Sequence, residues 1–496
     1  MVPKASNLCK LFSKSAWWCV GLAFGLFMVS VLWGLGWWAS KPHEIAHLSF
    51  PSGSLDSLLV NGGHVREVLW AEGVLHIPYS FSALSPNTVS VGDVTHTVHV
   101  DKIKPGDFIS IEMGGKTIKL DLFPRLFAQY QIKKKKSAAP GYLLFSLFEG
   151  HCHFPSFGVI MHTNGNLLYY RDNETPKRCV SDFKKTKLPS GEVVFSLMEQ
   201  EKKMPPFNYW YGSLLILDEK FNLINKVKLL PTRKHPTLDV ENHESLILDK
   251  NHFILSSYYH TEQMVPGEEY PSRVVGVIIQ EIKDGNVIFE WDSTDYPQLY
   301  STCLNNCNYQ DVSYQDYLHF NSLAIDPKDN HFVLSFGSSS SIIKIHRQTG
   351  AILWTLGGLQ DDYALTPKQR FAGQHSVSFL PSGELMLFDN HSSALTKISN
   401  TRYPTERLDH FSRILIFQLD EQKRRVKRFK QIELPYLANT MGSVYLTENN
   451  TFIVGYGSSR SMLAQEFNQK GKLLLSLKLL NPMYSSYRVR KYSSLD

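Results

Sequence analysis

Net charge is scarce in this chain: formally +6 over 496 residues, from 52 basic and 46 acidic side chains. Two basic clusters, at 133–136 and 423–428, supply much of the excess, and each reads as a solvated loop or strand edge. There is no helix-based basic motif and no aromatic-rich basic surface, so nucleic acid is not an expected partner. Charged residues reach only 20% against 43% hydrophobic, which excludes a disordered or fibrous protein. Cysteine is also sparse, with six in all. Cys303 and Cys307 form a close pair, but no second Cys or His pair has metal-ligand spacing, so disulfides are favoured over zinc: Cys303 with Cys307, and Cys152 with Cys179.

Long apolar runs are limited to the N-terminus. Residues 17–38 carry no charge and cover the roughly 20 positions a helix needs to cross a bilayer. Trp17, Trp18, Trp37 and Trp38 stand at its two ends, where aromatic rings favour the membrane interface. Lys4, Lys10 and Lys14 precede it, so the positive-inside bias puts residues 1–15 in the cytoplasm and makes 16–39 an uncleaved signal-anchor. A cleaved signal would have a shorter apolar core and small residues at its end. The expectation is a single-pass membrane protein whose main body is exported, periplasmic or extracellular, where disulfides persist.

Residues 45–132 alternate short apolar runs with Gly, Pro, Asn and Asp turns and predict a small β-sandwich. A linker is expected at 133–141. From 142 to 486 two hairpin types alternate. One recurs at 156–170, 212–228, 273–292, 341–356, 412–433 and 461–479. The other recurs at 243–257, 319–336, 375–389 and 440–456, with a weaker copy at 188–198. Two hairpins per unit make a four-stranded blade, so the fold class is all-β: a six-bladed β-propeller after the sandwich and the transmembrane helix.

The second hairpin type carries the chemistry. His243 lies six residues before the turn at Asp249, His319 seven before Asp326, His375 six before Pro381, and Thr440 seven before Thr447. On innermost strands these positions converge at one mouth of the channel, joined by Asn321. The six-against-seven offset would reverse the face of an ideal strand. Three neutral imidazoles also suit a transition metal, but only Glu244 is a carboxylate at a matching position. No metal site is therefore expected.

His319-Phe320-Asn321-Ser322, Thr349-Gly350 through Gly358, Gln374-His375 and Leu387-Phe388-Asp389-Asn390, followed by Met441-Gly442-Ser443-Val444-Tyr445, resemble in that order the bacterial arylsulfate sulfotransferases. The resemblance implies a cofactor-free enzyme moving a sulfuryl group from an aryl sulfate to a phenol. In it His375 is the nucleophile carrying the group as a sulfohistidine. His243 and His319 act as proton donors or oxygen ligands, and Asn321 and Thr440 as further donors. The family places an arginine where this chain has Gly337; Arg370 is the candidate replacement. A non-catalytic propeller that binds a ligand or protein at the same mouth is the second reading. A quinoprotein is a third, since Thr349-Gly350-Ala351-Ile352-Leu353-Trp354 looks like one tryptophan repeat, but that motif should recur in nearly every blade. The sequence leaves the oligomeric state open, a homodimer included.

Overall fold

A computed structural model describes residues 44–52, 58–60, 63–64, 74–76, 86–100, 107–121, 129–172, 179–207, 209–395, 403–459, 461–480 and 483–496. The signal-anchor expected at 16–39 lies outside these residues. Among the described residues no helix is long and apolar enough to cross a membrane. Helix there is limited to short 3-10 turns at Ser293–Asp295, Pro297–Thr302 and Ser393–Leu395.

The chain divides into two compact units, the second beginning in earnest at Leu126. The first holds two four-stranded sheets. In one, Glu44–Phe50 pairs in parallel with Phe108–Met113, which turns back into Lys116–Asp121. In the other, Asn87–Val91 and Val94–Val98 form a hairpin whose first strand alternates buried and half-buried residues, the period-2 pattern of a strand with one covered face.

Six sheets build the second unit among the described residues. Every hairpin expected from the first repeat pattern is an antiparallel pair, and each is the outer half of a sheet. The second pattern supplies the inner halves of the third to sixth sheets, while its weaker copy at 188–198 covers the turn and the start of Val193–Met204 but not that strand's partner, Cys179–Lys187. Middle strands such as Phe332–Phe336 and Ser341–Ile345 are buried throughout. Their near-continuous apolar runs make sense because neighbouring sheets cover both faces. Ile342 and Leu356 of the fourth sheet pack on Leu387 and Phe417 of the fifth, and Phe388 of the fifth packs with Val454 of the sixth. Each fully buried Leu, Ile or Phe contributes about 1.5–3 kcal/mol.

Two expected boundaries are corrected. Tyr130–Lys134 is a fifth strand on the sixth sheet, paired with Leu473–Leu479, so the proposed linker at 133–141 starts inside a strand. Its lysines looked like linker because an exposed edge strand carries charge to discourage further pairing. At the other end, Val489–Tyr492 pairs with Tyr142–Leu147, three hundred residues earlier, so the repeat region runs past 486. The last strand thereby completes the first sheet. Its Val489 N–H donates to Ser443 Oγ of the sixth sheet at 3.1 Å.

Candidate functional site

The first strands of the third, fourth and fifth sheets, Ser245–Asp249, Phe320–Ile325 and His375–Phe379, each begin at or just after a candidate histidine. The differing turn offsets are absorbed by irregular strand starts. Register shifts fall between Phe320 and Ser322 and between His375 and Ser378, and the backbone is left-handed at His319 (φ 57°) and Ser376 (φ 56°). Non-glycine residues held in that region are strained, a feature that clusters at functional sites.

The three histidines come together around Tyr487. The His243 and His319 rings lie 5.4 Å apart, and Tyr487 stands 5.5 Å from His243 and 6.3 Å from His375. Each imidazole is held by Nδ1. His243 Nδ1 bonds Glu241, which also accepts from the His243 N–H at 2.8 Å. His319 Nδ1 bonds Asp316 at 2.7 Å, and the Tyr209 hydroxyl donates to the same carboxylate. His375 Nδ1 lies 2.9 Å from Gly373 O and 2.8 Å from Asn390 Oδ1. A backbone carbonyl can only accept, so His375 Nδ1 carries the hydrogen and Nε2 keeps its lone pair. No Nε2 of the three has a hydrogen-bond partner among the described residues.

His375 is buried, and burial is the main reason its pKa falls from 6.5 to about 3. The neighbouring His319 and His243 push the same way, while the bonds to Asn390 and Gly373 oppose them. The result is a neutral, fixed imidazole. Tyr209, Tyr258 and Tyr487 wall the cluster. Burial raises all three hydroxyls well above 10, so they stay protonated and donate: Tyr258 to Phe320 O, Tyr487 to Asn321 O at 3.1 Å.

The remaining candidates sit differently. Asn321 is fully buried and spends Nδ2 on Gln374 O at 2.6 Å, next to the nucleophile candidate, so it fixes that segment. Thr440 begins the approach to the sixth sheet and bonds Ser458 through its backbone; the neighbouring Met441 carbonyl accepts from Asn390 at 2.8 Å. Arg370 is not brought to the histidines: its guanidinium lies over Tyr403 and donates to Pro404 O. Gly337 donates its N–H to His319 O at 2.7 Å and offers no cation. Arg488, just before the last strand, is a buried cation beside the cluster: it pairs with Glu244 at 2.8 Å and donates to Asn321 O at 3.1 Å.

Glu241, Asp316, Asn390, Tyr209, Tyr258, Tyr487 and Arg488 were not singled out as site residues from sequence. The two carboxylates left a usable signal, lying two and three residues before their histidines.

As for metals, the described residues that bring three ligand atoms within 4.8 Å of one another are Asp326, Asp329 and Glu421, not the histidines. The Lys344 ammonium already bonds all three, at 2.7, 2.6 and 2.8 Å. Both expected disulfides, Cys152–Cys179 and Cys303–Cys307, are formed.

An all-β unit with histidines gathered on the inner strands of successive sheets defines the class. The sequence profile of the arylsulfotransferase (ASST) family matches residues 184–479, more than half of the chain. The chain belongs to that family. No curated protein matches it significantly. Among solved structures it is similar to the periplasmic gluconolactonase PpgL of Pseudomonas aeruginosa, at 12% identity over 72% of this chain and 100% of that one, TM-score 0.38. It is also similar to the Cps50 (Swd1) β-propeller domain of Myceliophteria thermophila, at 10% over 69% and 88%, TM-score 0.35.

Proposed function

We infer that this protein is an exported, membrane-anchored six-bladed propeller that transfers a sulfuryl group from an aryl sulfate to a phenol through His375. The observation that carries the reading is the His375 imidazole, neutral, tethered at Nδ1 and open at Nε2. In the first half-reaction Nε2 attacks sulfur, the sulfur–aryl oxygen bond breaks, and the phenolate leaves with both electrons of that bond. A proton from His319 or His243 neutralises it. In the second half a phenol oxygen attacks the same sulfur, the N–S bond breaks, and the proton lost by the phenol returns to the histidine that gave one. Asp316 and Glu241 orient the proton carriers, as a carboxylate does for a catalytic histidine elsewhere. The two disulfides support an oxidising, exported setting.

Gly337 favours one alternative, since a transition state rich in charge loses a cationic donor there: a propeller that binds a ligand at this mouth without turning it over. The test uses the full chain and an aryl sulfate whose phenolate is coloured. Release that depends on an added phenol, and falls at least about a thousandfold in His375→Ala, is the expected result. No release from any donor by a folded protein would establish the binding reading instead.

A further inference from the structure

The two basic clusters noted in the sequence lie nearly three hundred residues apart, yet the fold lays them along one rim. Arg425–Glu433 is the outer strand of the fifth sheet, and Tyr130–Lys134 is the outer strand of the sixth. Between them stands the turn joining Met462–Phe467 to Leu473–Leu479, which contributes Lys470 and Lys472.

The contacts make the path continuous. Lys430 Nζ donates to Gln469 O of that turn at 2.8 Å. A Cβ on Gly471 would lie 3.1 Å from Ile432 Cγ2. Lys135 N donates to Leu474 O at 2.8 Å, two residues beyond Lys472. Lys135, Lys136, Arg428, Lys470 and Lys472 are exposed and make no ion pair among the described residues. Lys226, by contrast, is answered by Glu199 and Glu201. The exposed lysines of the second and third sheets that are unpaired among the described residues, such as Lys220 and Lys250, are not gathered along one edge in this way. Like charges held side by side without counter-ions repel, and a bound anion relieves that repulsion.

Topology fixes where the rim faces. In an antiparallel meander the turn after the third strand lies at the end opposite the start of the first strand. The histidines stand at first-strand starts, so the stripe and the histidine mouth occupy opposite ends of their sheets.

We propose that this rim binds an acidic polysaccharide, its sulfate or carboxylate groups spaced along the stripe from Arg428 through Lys470 and Lys472 to Lys135 and Lys136. A bilayer fits less well: none of the exposed large hydrophobic side chains lies on the stripe, and surface helices and loops that bind membranes insert such groups. Single-stranded nucleic acid fits less well too, because no exposed aromatic ring there offers a base a stacking platform. The proposal is independent of the sulfuryl-transfer reading. With the polymer on the far end of the sheets, the mouth stays open to small substrates.

Heparin is the probe, with the full chain at physiological and raised salt. The expected result is heparin binding that weakens steeply with salt and drops at least tenfold in K135E/K136E/R428E/K470E, with far-UV circular dichroism unchanged. A control carries the same charge change on exposed lysines of the second and third sheets, K187E/K220E/K228E/K250E, and should keep most of the affinity. Equal losses in both variants would mean net charge alone and overturn the assignment. So would absent heparin binding, or tighter binding to phosphatidylserine vesicles or to DNA than to heparin.

Discussion

His375 keeps its Nε2 lone pair far below the pH at which a solvated imidazole loses it. Burial and two neighbouring imidazoles set its pKa at about 3, against 6.5 in the unfolded chain. Between those values the unfolded chain binds the extra proton and the folded protein does not. The stability this residue lends is therefore complete above pH 6.5 and lost as pH falls towards 3. Comparing urea midpoints from pH 7 to pH 4, His375→Asn should lose less stability on acidification than the parent; parallel curves would mean that the imidazole is not held neutral. The three histidines could be found from sequence because each repeats at one place in a hairpin. Their carboxylate partners left only the short spacing before His243 and His319. Arg370 misled because it is five residues from His375, yet the intervening turn sends its side chain to Tyr403 and Pro404. Chain proximity says little about where a guanidinium points across a buried turn.

At the scale of elements, the last strand does two jobs. It closes the first sheet and brings in a buried set of charges: Arg490 to Asp182 at 2.6 Å, Arg488 to Glu244 at 2.8 Å, and Lys491 to Glu466 at 2.8 Å. Burial alone would raise the Asp182 carboxyl, but Arg490, Lys184 and Arg488 outweigh it and hold the group well below the usual carboxylate range. That contribution is present above the unfolded carboxyl's pKa of 3.8 and disappears only as pH falls below it. Asp182→Asn at pH 7 leaves two buried arginines short of an anion and should cost on the order of 3–5 kcal/mol in chemical unfolding. A loss below about 1 kcal/mol would mean that water already shares those charges. The hairpins of the sheets were legible because strand–turn–strand patterning is local. The pairing of residues near 142 with residues near 490 was not, since nothing in either segment names so distant a partner. The edge strand at Tyr130–Lys134 was hidden for a different reason, in that its exposed lysines look the same on a strand as in a linker.

For the whole molecule, the division of labour between the two units is the remaining question of architecture. Every residue placed at the histidine cluster, from Tyr209 to Arg488, belongs to the second unit, as do both disulfides. That unit starts before its first complete sheet, with Tyr130–Lys134 covering the outer edge of the sixth. The Tyr130 hydroxyl donates to Gly165 O at 2.9 Å, tying this strand to the turn between Phe157–His162 and Leu167–Asp172 of the first sheet. One outer strand thus bridges the sheets that hold the two ends of the repeat region. A chain beginning at residue 126 should therefore fold and match the full chain in turnover of the coloured aryl sulfate. One beginning at 142 lacks the bridge and exposes the edge at Leu473–Leu479, so it should unfold at lower denaturant. If the shorter of the two were as stable as the longer, closure would rest on Val489–Tyr492 alone. If the chain from 126 folded but lost turnover, the reaction would need a residue before 126, and a site confined to residues 126–496 would be incomplete.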